Sequence, residues 1–166
     1  VSNLGVGANA FDPLPDGNGE HLAANRKGFL GEIVDDYLSD DAAKKAAVVL
    51  KYGEMVDWDV SQVKNMGYLF YGKTKFTADL GKWVTTEVTN MQAMFNSATS
   101  FNGDVSQFNT AKVTDMNFMF GHTSFNGDIS NFDITKVTGM KHIFYNSGFK
   151  RTLCGKWDTL TGEYAP

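Results

Sequence analysis

The sequence predicts an α/β solenoid with a helical cap at its amino end. Three observations lead there. Methionines recur at Met66, Met91, Met116 and Met140, in steps of 25, 25 and 24 residues. Two aromatic series keep the same steps, Trp58, Trp83, Phe108, Phe132 and Trp157, and Phe76, Phe101, Phe125 and Phe149. The residues before the first repeat instead show the three- and four-residue apolar spacing of helices. A period near 25 residues belongs to repeat architectures, in which one unit is too short to bury its own apolar face and must stack on its neighbours.

Taken in chain order, residues 1–18 contain Pro13, Pro15 and several glycines and read as an extended arm. Residues 19–56 read as the cap. In it, Leu22, Phe29, Leu30, Ile33, Val34, Tyr37 and Leu38 follow helical spacing, weakened by Gly28 and Gly31. Ser39-Asp40-Asp41 is a start signal for a second helix that runs through Leu50 and ends near Gly53. The repeats occupy residues 57–158. Asp104-Val105-Ser106-Gln107-Phe108 reads as a short strand opening each unit. Val-x-x-Met-x-x-Met-Phe reads as a short helix or 3₁₀ turn, and Asn102-Gly103-Asp104 as a tight turn. Residues 159–166 form a tail that would cover the far end.

The repeated motifs resemble the leucine-rich repeats of BspA-like surface proteins, in the variant found in mycoplasma surface lipoproteins. Trp58-Asp59-Val60-Ser61-Gln62-Val63-Lys64-Asn65-Met66 carries the likeness. So do Val88-Thr89-Asn90-Met91 through Met94-Phe95, Ala98 and Phe101-Asn102, and Val113-Thr114-Asp115-Met116 through Met119-Phe120 to Phe125-Asn126. Phe108 and Phe132 replace Trp, and Leu69 and Ile143 replace Met. The resemblance implies short BspA-like leucine-rich repeats and a surface or secreted binding role. It implies no fixed ligand and no catalytic residues.

Composition narrows the function classes. The chain has 166 residues, 42% of them hydrophobic and 20% charged, enough to bury a core without disulfides. A single cysteine excludes an intrachain disulfide and a Cys-rich metal site. The net charge of −4 argues against nucleic acid as partner. All of that excess lies in residues 1–56, with nine acidic and five basic residues. No apolar run of transmembrane length occurs. The chain starts at Val1, which reads as a processed protein or an excerpt of a longer one.

The candidate chemistry is sparse. The Met and Phe stripes recur in every unit and read as core rather than as a lipid or pigment site. Thr89-Asn90 and Thr114-Asp115 read as side-chain ladders. Asp79, Asp104 and Asp128 would fall along one edge, where turn stabilisation competes with a calcium site. No other cofactor is expected. His21, His122 and His142 have no metal-ligand spacing and read as separate surface residues. Cys154 reads as a buried or neutral thiol. No phosphate loop or nucleophile elbow is present, so no enzyme activity is expected.

The leading expectation is a non-catalytic scaffold, secreted or at the cell surface, that binds a protein or a surface glycan. Its contacts would lie at the variable positions beside the aromatic series, Lys82, Thr85, Gln107, Asn109, Asn131 and Asp133. The alternative is a structural subunit of a larger assembly, peripheral on a membrane complex after processing, with the amino-terminal arm lying along its partner.

Overall fold

The structure is a computed structural model that describes residues 13–17, 19, 29–155 and 157. Most of the amino-terminal arm, His21, the start of the first expected helix and the tail at 159–166 lie outside the described residues. Helix α1 spans Leu30–Tyr37 and buries Leu30 and Val34, spaced by one turn. Helix α2 spans Ala42–Tyr52. Its start is set by Asp41, whose carboxylate accepts the N–H groups of Ala43 and Lys44 at 2.9 and 3.3 Å, and it stops at Gly53, where φ is 78°. A 3₁₀ turn at Met55–Asp57 leads into the repeats.

The α/β solenoid of leucine-rich repeats is not what the chain forms. No strand exists among the described residues, and the α-helices there are α1 and α2, both before the repeats. The segments read as strand and as short helix are both runs of turns. Backbone pairing of the sheet type is limited to three isolated parallel bridges, Asn65 with Asn90, Asn90 with Asp115, and Asp115 with Gly139. The physical reason is a pair of left-handed residues in each repeat. The second residue after each key methionine has positive φ: Tyr68 (58°), Ala93 (50°), Phe118 (56°) and His142 (56°). So does the sixth: Gly72 (69°), Ser97 (61°), His122 (53°) and Asn146 (50°). A left-handed residue interrupts extended backbone, and the N–H of the residue that follows each first one closes back three residues, as from Leu69 to Met66 and from Met94 to Met91.

The remaining N–H groups of this arc join successive layers. Met66, Tyr68, Phe70 and Gly72 donate to the carbonyls of Asn90, Gln92, Met94 and Asn96. Met91, Ala93, Phe95 and Ser97 donate in the same way to Asp115, Asn117, Met119 and Gly121, and Met116, Phe118, Phe120 and His122 to Gly139, Lys141, Ile143 and Tyr145. All these bonds measure 2.6–3.0 Å and point the same way. Thr89, Thr114 and Thr138 add hydroxyl bonds of 3.2 Å to the backbone carbonyl one layer back.

Two aromatic columns fill the interior. Phe70, Phe95, Phe120 and Phe144 stack with centroids 5.4, 5.6 and 5.8 Å apart, and Phe76, Phe101, Phe125 and Phe149 at 5.6, 6.0 and 6.2 Å. Within a layer the two columns meet face to face at 3.9–4.1 Å. Such pairs contribute about 0.5–1.5 kcal/mol each beyond their burial. At the amino end the indoles of Trp58 and Trp83 donate to the carbonyls of Gly53 and Met55, tying the helical segment to the first layers. Asp16 seals that end. Its carboxylate accepts the N–H groups of Lys64 and Asn65 at 2.9 and 2.7 Å. In the next layer the carbonyl of Lys64 does the same for Thr89 and Asn90.

One residue is lost at the corner between the two columns. Six residues separate Phe70 from Phe76 and Phe95 from Phe101, but five separate Phe120 from Phe125 and Phe144 from Phe149. In the longer corners the backbone carbonyls of Lys73 and Ala98 accept the N–H of the second phenylalanine. In the shorter ones a hydroxyl substitutes, Thr123 Oγ1 for Phe125 and Ser147 Oγ for Phe149, both at 3.3 Å. Thr123 is buried and also donates to the Phe120 carbonyl at 2.7 Å.

Three outcomes follow for stability, each read from urea unfolding. Thr123→Val leaves the Phe125 N–H without its acceptor and should cost about 1–3 kcal/mol. Ala93→Gly should be more favourable than Ala98→Gly by about 1–2 kcal/mol, since only Ala93 is held left-handed; equal effects would refute the strain argument. Hydrogen bonds hold three carboxyls below their ordinary range, from the Ser61 hydroxyl and N–H to Asp59, from the Lys112 ammonium to Glu87, and from the Ser130 N–H and hydroxyl to Asp128. A depressed folded-state value stabilises above the ordinary carboxyl range and is lost as pH falls through it. The unfolding midpoint should therefore drop between about pH 5 and pH 2.

Candidate functional site

One lateral face carries three depressions in series, one at each step between layers. The first, of about 360 Å³, is lined by Lys82, Trp83, Val84, Thr85, Gln107 and Asn109. The second, of about 330 Å³, takes Gln107 and Asn109 on one side and Asn131 and Asp133 on the other. The third, of about 390 Å³, lies between Asn131 and Asp133 and the pair Cys154 and Trp157. Neighbouring depressions thus share two residues and form a continuous groove. The aromatic residues Trp83, Phe108 and Phe132 are buried and form its floor.

All six residues expected at a binding face line this groove, but they are not equivalent. Gln107, Asn109 and Asn131 are exposed and Asp133 is half-buried. Lys82 is exposed and paired with Asp57 at 2.5 Å. Thr85 is buried, with 1% of its surface accessible. Its hydroxyl donates to the Asn109 carbonyl at 3.1 Å and accepts the Asn109 N–H at 2.8 Å, so it holds the groove wall together and offers little to a ligand. Asn109 Oδ1 accepts the Ala111 N–H at 3.0 Å, and the Asp133 carboxylate accepts both the N–H and the hydroxyl of Thr135. These bonds fix the side chains before any ligand arrives.

The oxygen-rich edge is engaged within the fold. Asp79 Oδ1 accepts the Asp104 N–H, Asp104 Oδ1 the Ser106 N–H, and Asp128 Oδ1 the Ser130 N–H, at 2.8–2.9 Å. Among the described residues no group of three or more His, Cys, Asp and Glu side chains is placed to hold a metal ion. Cys154 is exposed, contrary to the buried thiol expected; it sits at the open end of the stack, where no further layer covers it. His122 and His142 are not separate. Both rings meet Tyr145, at 5.2 and 5.4 Å, and His142 also lies against Phe118 at 4.9 Å. The aromatic series did not reveal this cluster, because its members occupy positions that vary from repeat to repeat.

Sequence reasoning also missed a cleft of about 420 Å³ between the helical segment and the first layer. It is lined by Tyr37, Leu38, Met55, Val56, Phe76 and Ala78, among others. The Tyr37 hydroxyl donates to Glu54 at 2.5 Å. Burial, and then this bond, raise the phenol above its ordinary value. The cleft is assembled from three separate stretches of chain, and no local motif marks it.

No helix among the described residues is long and apolar enough to cross a membrane. Comparison with curated proteins and with solved structures returned no match. One family does match, over residues 41–159, from the N-cap of α2 through all four layers. That span is well over half of the chain, and this protein therefore belongs to the family described as Mycoplasma protein of unknown function, DUF285.

Proposed function

We propose that this chain is a non-catalytic binding scaffold, secreted or at the cell surface, that holds an extended protein or glycan along the lateral groove. The observation that carries the reading is the groove's repetition. Three depressions in layer register present amide side chains above an aromatic floor, an arrangement suited to a ligand that itself repeats. Pre-fixed polar side chains lower the ordering cost of binding. Kinship with BspA-like surface proteins is part of this proposal. It rests on the repeated Val-x-x-Met-x-x-Met-Phe and Phe-Asn sequences and not on an α/β architecture.

A second reading, a structural subunit of a larger assembly, is favoured by one observation. Leu50 on α2 is 85% exposed, and Phe29 and Val56 on the same end are 39% and 37% exposed. A subunit would cover that surface with its partner.

The two readings separate in one experiment. The biotinylated chain is applied to an array of glycans and extracellular matrix proteins beside the triple variant Gln107→Ala, Asn109→Ala and Asn131→Ala. Groove recognition predicts binding that the triple variant loses by about tenfold or more, with the thermal midpoint little changed. Binding that survives the triple variant would rule out the groove. Loss of binding on Leu50→Asp with the groove intact would favour the subunit reading.

A further inference from the structure

The layers are joined by bonds that all run one way, so the two ends of the stack differ. The carbonyl edge of the first layer is met by its own chain. A Cβ on Gly17 would lie 2.1 Å from the Asn65 carbonyl oxygen, so the backbone there is in direct contact. At the other end the fourth layer has no successor. The N–H groups of Met140, His142, Phe144 and Asn146 are the counterparts of those that donate across every earlier interface. They have no acceptor among the described residues. Four donors at alternate residues, at the positive end of three tiers of aligned peptide dipoles, form an unfilled edge.

The chemistry around that edge is one-sided. Residues 134–157 contain Lys136, Lys141, Lys150, Arg151 and Lys156 and no acidic residue. Lys136, Lys150 and Arg151 are exposed, and Arg151 Nε donates to the Asn126 carbonyl at 2.8 Å. Asp128, the acidic group that feels Arg151, already accepts from Ser130. Beside the donors, Phe149 is half-buried and Tyr145 is 54% exposed, which leaves an aromatic surface of the kind each earlier layer covers with the next.

We infer that the edge formed by residues 140–146 is a docking site for an acidic polypeptide segment of a partner protein, laid along it as a further layer would be. The donor row selects a polypeptide, because alternate backbone carbonyls are what fills the same row at the three internal interfaces. The charge selects an acidic one. A second copy of this chain fits less well, since its carbonyl edge is already met by Gly17. The site lies on the end of the stack, apart from the lateral groove, and does not depend on it.

The test uses the full chain, ¹⁵N-labelled, with amide exchange read residue by residue. The probe is a synthetic peptide of alternating Glu and Val, about twelve residues long. A Lys–Val peptide and a sulfated heparin octasaccharide serve as comparisons. The Glu–Val peptide should slow exchange at Met140, His142, Phe144 and Asn146 by about tenfold, and more salt should weaken it. Lys150→Glu with Arg151→Glu should weaken binding about tenfold. Lys64→Glu in the first layer, and the triple groove variant, should leave it unchanged. The inference is overturned if the Glu–Val peptide does not protect these amides, or if the Lys–Val peptide does so equally. It is also overturned if only the octasaccharide protects them, or if they are protected without any probe as the mass doubles.

Discussion

The structure depends on the one-way hydrogen bonding between layers. In an ordinary sheet, neighbouring residues of a strand turn their N–H groups to opposite sides, so each edge mixes donors and acceptors. Here the left-handed residues two and six positions after each key methionine rotate the arc so that one edge of a layer gives and the next edge receives. That fixes the spacing at which the phenylalanine columns stack. The columns in turn hold Tyr68, Phe118 and His142 in a conformation such residues seldom adopt. Packing and backbone are therefore mutually required, and neither would be stable with the other removed.

The same constraint shapes the surface. Turns at the layer corners place Gln107, Asn109, Asn131 and Asp133 in equivalent positions, and buried hydroxyls such as those of Thr85 and Thr110 bond across the gap to hold the corners in line. The groove is thus as regular as the core beneath it. The amino end is finished by different means, with the Asp16 carboxylate in the role of a backbone carbonyl and two indoles anchored on the 3₁₀ turn and its approach.

Much of this register was legible in the sequence, but the backbone state was not. The 25-residue period marks which residues are equivalent, and the Asp41 cap and Gly53 stop of α2 are visible as residue types. Left-handed backbone is normally signalled by Gly or Asn. In this chain Gly72 and Asn146 carry that signal, while Tyr68, Ala93, Phe118 and His142 hide it, so alternation was read as strand and methionine spacing as helix. Of the six groove residues, Thr85 was misjudged because a hydroxyl at a variable position looks the same whether it faces solvent or bridges two layers. The cleft beside Tyr37 could not be seen, since it joins residues far apart in the chain.

The shortened corners bear on how such a chain changes length. A layer of 24 residues stacks on one of 25 with its face-to-face ring distance unchanged, 4.0 Å against 3.9 Å, because a threonine or serine hydroxyl replaces a backbone carbonyl. Register errors are absorbed where they arise and are not passed to the next unit. Duplication or loss of whole units during gene recombination then needs no compensating change elsewhere, and a crossover that misses the boundary by one codon is repaired by a single hydroxyl.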